Sequence, residues 1–154
     1  VMALATTASK IDWYPVTDMA ELFRAIAAHH RETDGQVVAA LEAVGRAIAE
    51  TATITFLKIL LRLLTPALFV TKAPTFWQRD HQCGELSVVA YDGDGRVMTM
   101  QLKDVGGYDY IGPVAPGFIL FALSALGCRQ PRVTFDFDDA NPGPDEITYR
   151  FTWE

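Results

Sequence analysis

The chain has 154 residues, of which 50% are hydrophobic and 21% charged, and its formal net charge is −6. This length and composition indicate one globular domain and exclude a disordered chain. The negative charge argues against nucleic acid and anionic membrane surfaces as partners, because both attract basic proteins. We expect a flexible arm over residues 1–15 and a single domain over residues 16–154.

Cysteine use and hydrophobic patterning predict a cytoplasmic protein. Cys83 and Cys128 stand alone in the sequence, whereas a secreted disulfide scaffold has a denser cysteine pattern. The first ten residues lack the basic start and apolar run of a signal peptide. The most hydrophobic stretch, residues 54–70, is interrupted by two basic residues and a proline, so it does not predict a membrane span.

Two amphipathic helices are predicted to open the domain. Asp18 and Glu21 fit a capping box, and apolar residues recur on one face until Asp34-Gly35 breaks the pattern. His29-His30 at the end of this helix is better explained by the helix dipole than by ligand binding. A second helix has the same period, marked by Val37, Leu41, Val44 and Ile48.

Three further helices are predicted before the strands. The strongest runs from about Thr53 to Leu64, with a narrow polar stripe and an otherwise apolar surface. Pro66 and Pro74 each predict the start of a short helix, because proline is tolerated in a first turn.

From Gly84 onward the period changes to that of strands. Residues 85–91 and 96–102 flank an Asp-Gly-Asp-Gly turn and predict a hairpin. Residues 133–137 and 147–153 alternate in the same way and predict a second hairpin. Clean alternation is typical of an antiparallel sheet with one face on the core and one face in water.

An unusual helix is predicted between the two hairpins, from Pro116 to Leu126, with Gly127 as its C-terminal cap. It has no polar face, so a sheet on one side cannot bury all of it. Its second cover could be the N-terminal helices, a second subunit or an apolar ligand. The predicted fold class is α+β, with N-terminal helices followed by β-β-α-β-β and a four-stranded antiparallel sheet packed against the helices.

A family resemblance rests on five stretches of the chain, residues 56–66, 73–77, 84–86, 117–127 and 150–153. Over about residues 51–153 the chain resembles a domain family abundant in myxobacteria. That family is allied to vinyl-4-reductase domains, to heme–nitric-oxide-binding sensor domains and, more distantly, to the Bet3 subunit of vesicle-tethering complexes. The resemblance implies an α+β domain with a pocket between helices and sheet, which relatives use for phenols, tetrapyrroles or acyl chains.

The resemblance does not supply a metal or heme ligand. The final hairpin contains no cysteine, so the zinc cluster of some relatives has no counterpart here. No histidine occurs between His30 and His81 on the helices ahead of the sheet. We therefore predict no cofactor and no metal.

Two polar clusters are predicted to lie at the surface without chemistry of their own. The segment Asp80-His81-Gln82-Cys83 supplies too few converging ligands for a metal, and its thiol and imidazole lack an orienting group. The acidic residues between Asp136 and Glu146 lack the spacing and central glycine of a calcium loop. No catalytic residue is predicted.

The predicted function is non-enzymatic binding or sensing of an apolar, aromatic or acyl small molecule, acting through a partner protein. Aromatic rings give a pocket large contact area, and phenol hydroxyls add polar anchors; the alternative is that these rings are ordinary core. Other hypotheses are a homodimer or docking module built on the apolar helix, then a heme-binding gas sensor, and last an enzyme using Cys83 and His81. The residues predicted to bind the ligand are Phe56, Leu60, Trp77, Tyr108, Tyr110, Phe118 and Phe121.

Overall fold

A computed structural model describes residues 15–33, 35–52, 61 and 64–154. The predicted α+β class and the β-β-α-β-β order are confirmed. Most of the helix predicted over residues 53–64 lies outside the described residues. No described helix has the length and apolar character needed to cross a membrane. The described elements are α1 (Val16–Thr33), α2 (Val37–Ala52), α3 (Pro66–Asp80), β1 (Glu85–Asp92), β2 (Val97–Lys103), α4 (Ile111–Ala125), β3 (Arg132–Thr134) and β4 (Glu146–Thr152).

The four strands form one antiparallel sheet in the order β1-β2-β4-β3. On one face, Met98, Met100 and Leu102 of β2 lie opposite Phe151, Tyr149 and Ile147 of β4, and all six are buried. The intervening residues of β4, Thr148 and Arg150, are exposed, and those of β2, Thr99 and Gln101, are half-buried. The sheet therefore has the single buried face that the alternation predicted.

The strand predicted over residues 133–137 is wrong beyond Thr134. Phe135 and Phe137 still point inward, and Phe135 packs on Tyr149 with ring centroids 5.3 Å apart. Their backbone is not part of a strand, and Asp138 accepts the backbone N–H of Ala140 at 2.9 Å in the turn that follows. Burial of the rings explains the alternation without a strand.

Helix α1 begins three residues earlier than the capping box predicted, because a cap at Asp18 would make Met19 the first helical residue. Its first residue is Val16, and the backbone N–H groups of Asp18 and Met19 donate to the carbonyl of Pro15. Asp18 therefore lies inside the first turn, where its negative charge complements the helix dipole.

The two short helices predicted at Pro66 and Pro74 are one helix, α3. Its N-terminus is as predicted, since the Thr65 hydroxyl accepts the N–H of Leu68 at 3.2 Å and Pro66 follows. Pro74 costs an interior helix about 3 kcal/mol. Burial of the large side chains of Phe69 and Trp77 on the same face offsets that cost, since such a side chain is worth about 1.5–3 kcal/mol when fully buried.

Helix α4 begins at Ile111, five residues before the predicted start, and ends as predicted. Gly127 has a φ of 86°. The N–H of Cys128 bonds to the carbonyl of Leu123 and the N–H of Gly127 to that of Ser124, which is the Schellman arrangement.

Helix α2 supplies the second cover of the apolar helix α4, one of the three covers that the sequence left open. The two backbones touch where they cross. A Cβ atom on Gly117 would overlap the carbonyl oxygen of Glu42, and one on Gly45 would overlap that of Val114. Helix α4 is thus enclosed by protein over most of its length, with Phe118, Ile119 and Phe121 half-buried.

Candidate functional site

A pocket of about 180 Å³ lies where α2, α3 and α4 meet the first residues of β1. An apolar cavity of roughly 150 Å³ accommodates a molecule the size of benzene, whereas sites for drug-sized ligands span about 300–1,000 Å³. The pocket therefore has room for a molecule of one or two rings. The described residues that line it are Ala49, Leu61, Phe69, Ala73, Phe76, Trp77, Arg79, Asp80, His81, Leu86, Phe118, Ile119, Phe121 and Ala122.

Trp77 is the fixed part of the pocket wall. The four-residue spacing of Phe69, Ala73 and Trp77 puts all three on the inner face of α3. The indole N–H of Trp77 lies 3.2 Å from the carbonyl oxygens of both Cys83 and Gly84. These bonds tie the end of α3 to the start of β1, so the position of Trp77 is linked to that of the sheet.

His81 caps α3 and completes an aromatic wall. Its ring stacks on Trp77 with centroids 3.8 Å apart and an interplanar angle of 7°, and it meets Phe118 edge-on at 6.0 Å. Its backbone N–H donates to the carbonyl of Trp77 at 2.8 Å, and Nδ1 lies 3.2 Å from the same oxygen. Burial lowers the pKa of His81 below its ordinary value, with Trp77 and Asp80 opposing the shift, so the neutral imidazole is favoured.

The structure brings together three of the seven residues predicted to bind a ligand. Trp77, Phe118 and Phe121 line the same pocket. Phe56 and Leu60 lie outside the described residues. The remaining two, Tyr108 and Tyr110, are not among the residues that line the pocket. The role of all seven in binding a ligand stays a prediction.

Tyr108, Asp109 and Tyr110 contact helix α1. Tyr108 stacks on Phe23 with centroids 5.9 Å apart, and burial raises its pKa to about 12. Asp109 pairs with Arg24 at 2.8 Å. The hydroxyl of Tyr110 lies 3.0 Å from Arg31. We call this group of contacts the α1 clamp.

Tyr110 also connects the α1 clamp to the loop before β4. Its hydroxyl donates to Asp139 at 3.0 Å, and Asp139 accepts a bond from Nε of Arg31 at 2.7 Å. Tyr110 has a φ of 64°, a left-handed conformation that is uncommon for a residue with a side chain. Two tyrosines that looked like pocket residues therefore hold α1 in place.

His81 was predicted to lie in a surface segment, whereas it lines the pocket. Two signals could have found it: His81 follows Trp77 by four residues, and it stands directly after the last turn of α3. A histidine at that position can stack on the tryptophan one turn earlier.

The described polar residues near the pocket do not form a metal cluster or a thiol–imidazole pair. Within residues 15–33, 35–52, 61 and 64–154, no three His, Cys, Asp or Glu side chains converge as a metal site would require. Burial raises the pKa of Cys83, which disfavours its thiolate, and no hydrogen bond joins it to His81 in this part of the chain. Among the acidic residues between Asp136 and Glu146, Asp139 and Glu146 form hydrogen bonds with neighbouring side chains.

Comparisons with known proteins indicate the fold. No protein-family model and no curated protein sequence matches the chain. Among solved structures, the Fe(II) unliganded H-NOX protein from K. algicida is similar with a TM-score of 0.69 and 11% identity, over 96% of this chain and 78% of that one. The H-NOX protein from S. oneidensis in the Fe(II)NO state has a TM-score of 0.61 at 10% identity, covering 99% and 87%.

A third similar structure is a mutant of the T. tengcongensis H-NOX protein, with a TM-score of 0.57 at 13% identity, covering 93% and 76% of the two chains. At such identities the likeness establishes an H-NOX-like fold. The fold is therefore that of one of the several groups that the sequence resemblance named. The H-NOX family is one in which heme distortion has been probed.

Proposed function

We propose that this domain is a non-enzymatic sensor that binds a small, largely apolar molecule in the pocket between α2, α3 and α4. The observation that carries the proposal is the composition of the wall, which is drawn from several separate elements and is mostly aromatic or aliphatic. A bound molecule would favour the packing of α3, α4 and β1 that best fits it, and so shift the population of conformations. A partner protein would recognise that shift.

The environment of Cys83 supports a mechanism without covalent chemistry. A nucleophilic cysteine needs a lowered pKa and an adjacent base. Burial raises the pKa of Cys83, and the ring of His81 is stacked on Trp77 with Nδ1 directed at a backbone carbonyl. Neither group is prepared for nucleophilic attack.

Native mass spectrometry of protein incubated with a small-molecule extract tests this function. We expect an excess mass that disappears on denaturation. Ala73→Leu, which adds a side chain to the pocket wall from a residue only 2% exposed, should abolish the excess mass. Thr75→Leu places the same side chain on the exposed face of α3 and should retain it. A wild-type protein that shows no excess mass with any extract would contradict the proposal.

Heme is a second candidate ligand, because the fold comparisons favour it. His81 offers a suitable donor: its Nδ1 bonds to a backbone carbonyl, as the second nitrogen of metal-bound histidines commonly does. The pocket does not offer the space, since about 180 Å³ is well below what a molecule larger than one or two rings requires. The described residues therefore do not fit heme, and no step of the mechanism passes through it.

A titration with hemin separates the two candidates. We expect no saturable absorption band at one heme per chain in the wild type. A band that saturates at that ratio, and that His81→Phe abolishes, would overturn the small-molecule assignment in favour of heme.

A further inference from the structure

The polar part of the pocket wall consists, among the described residues, of three consecutive side chains: Arg79, Asp80 and His81. Arg79 and Asp80 satisfy each other through two hydrogen bonds of 2.6 Å, from Nε and Nη2 to the two carboxylate oxygens. Both side chains are about half exposed, at 52% and 49%. The pair is thus neutral as a unit and sits at the outer edge of the pocket, which leaves His81 as the polar group of the wall itself.

The hydrogen bonds of His81 define what its ring can offer a ligand. The carbonyl oxygen of Trp77 can only accept, so the proton of the neutral imidazole is on Nδ1. Nε2 then carries a lone pair and can only accept. No hydrogen bond to Nε2 is formed within the described part of the chain, where every buried side-chain nitrogen or oxygen has a partner. Nε2 is therefore accessible, on a residue that lines the pocket.

The remaining surface determines the shape and charge of the occupant. Trp77 stacks on the ring of His81, and Phe118 meets that ring edge-on. A wall built from such aromatic rings suits a planar ligand. Because Arg79 and Asp80 are paired with each other, the wall offers an ionic group of the ligand no unpaired counter-charge. The space of about 180 Å³ limits the ligand to one ring or two fused rings.

We propose that the pocket selects an uncharged, planar molecule of one or two rings that bears a hydrogen-bond donor, and that Nε2 of His81 accepts that hydrogen bond. This inference rests on the proposed function, because it names the chemical class of the ligand for the same pocket. His81 is then the residue that determines specificity, and Trp77 supports the ring of His81 by stacking on it.

Two probes of nearly the same shape test the hydrogen bond. Indole has a ring N–H donor, and benzofuran has an ether oxygen in its place. Isothermal titration calorimetry should give the wild type an affinity for indole about threefold to tenfold higher than for benzofuran, as expected for one net hydrogen bond. In His81→Phe, which keeps a ring to stack on Trp77, the two probes should bind with equal affinity, close to that of benzofuran for the wild type.

Three other outcomes are distinguishable. Equal wild-type affinities for the two probes would disprove the hydrogen bond and leave the proposed function intact. Binding of neither probe, together with a retained mass in native mass spectrometry, would disprove the size and donor class alone. Binding of neither probe and a bare native mass would overturn the proposed function itself. The comparison of the two probes in the wild type needs no variant, so misfolding of His81→Phe would not affect it. Ala73→Leu should bind neither probe.

Discussion

At the scale of single residues, the buried hydroxyl of Tyr149 replaces a missing backbone hydrogen bond. The carbonyl of Gly112 in the first turn of α4 would ordinarily accept the N–H four residues later, but that residue is Pro116, which has none. The Tyr149 hydroxyl donates to this carbonyl at 2.9 Å instead. Both Tyr149 and Gly112 are buried, so water could not serve as the partner.

Removing this hydroxyl should destabilise the protein. Tyr149→Phe leaves the buried carbonyl of Gly112 without a donor, and we expect the free energy of unfolding to fall by about 1–3 kcal/mol. Urea unfolding followed by circular dichroism would show a lower midpoint with an unchanged slope. Tyr91→Phe is the matched control, since Tyr91 is 36% exposed, and it should change the midpoint little. Equal midpoints for the two variants would contradict the role of Tyr149.

His81 should make stability depend on pH. Its folded-state pKa is lowered from 6.5 chiefly by burial, so the unfolded chain binds a proton more readily below that pH. The free energy of unfolding should therefore decrease as the pH falls from 6.5 toward the folded-state pKa. Urea midpoints measured near pH 7.5 and pH 5.5 should drop less in His81→Phe than in the wild type. An identical drop in both proteins would show that His81 does not carry this effect.

At the scale of elements, the crossing of α2 and α4 depends on two glycines. A Cβ atom on Gly117 would lie 2.5 Å from the backbone nitrogen of Arg46 and would overlap the carbonyl oxygen of Glu42. Backbone atoms cannot move aside as a flexible side chain can, so the helices would have to separate. This close approach is what buries the apolar surface of α4.

Gly117→Ala should therefore lower the free energy of unfolding by about 1–3 kcal/mol, as overpacking typically does, even though alanine favours the helix. Gly106→Ala is a suitable control, because a Cβ there meets no atom within 4 Å and its φ is not positive. Thermal unfolding of the two variants checks the prediction. A Gly117 variant as stable as the Gly106 variant would show that the helices separate at little cost.

Elements with a strong internal pattern were predictable from sequence, and those decided by distant contacts were not. The alternation in β2 and β4 gave their positions to within a residue, since both strands bury one face. Pro74 misled the prediction for α3, because the burial that carries the helix through proline comes from other elements. Phe135 and Phe137 misled the strand prediction, because core-facing rings alternate whether or not the backbone pairs.

At the scale of the whole molecule, the α1 clamp joins the N-terminal helix to the body of the domain. Its contacts combine an aromatic stack, an ion pair and a tyrosine hydroxyl, and Arg31 forms a second ion pair with Asp139 beside them. The side chains of Arg24 and Arg31 are each 48% exposed, so each ion pair alone contributes little. Together they fix the position of α1 against residues 108–110.

Breaking the clamp at Arg31 should loosen α1 locally. Arg31→Ala removes a hydrogen-bond partner on α1 from both Tyr110 and Asp139. We expect backbone amides of α1 to exchange about twofold to tenfold faster with deuterium. Amides of β2 should be unaffected. Lys103→Ala, which removes an exposed ion pair between β2 and β4, should not change exchange in α1. Faster exchange spread evenly over all elements would indicate global destabilisation instead of a clamp.

Part of the candidate site could be predicted from the sequence. Trp77, Phe118 and Phe121 were predicted as ligand-wall residues because aromatic rings give a pocket large contact area, and they line the same pocket, although their role in binding stays a prediction. Tyr108 and Tyr110 were placed with them, since a sequence does not show which side of α4 its preceding loop will follow. The fold puts that loop against α1, and Phe23, Arg24 and Arg31 are the residues that it meets there.

The close crossing of α2 and α4 at Gly45 and Gly117 also has an evolutionary consequence. Neither Gly45 nor Gly117 can gain a side chain alone, because each faces backbone atoms of the opposite helix. A stepwise path away from this pair therefore passes through a destabilised intermediate. The half-buried pocket residues Phe118 and Ile119 lie directly beside Gly117 on α4 and meet no such barrier. Substitutions that change the pocket can thus accumulate while the distance between the two helices stays the same.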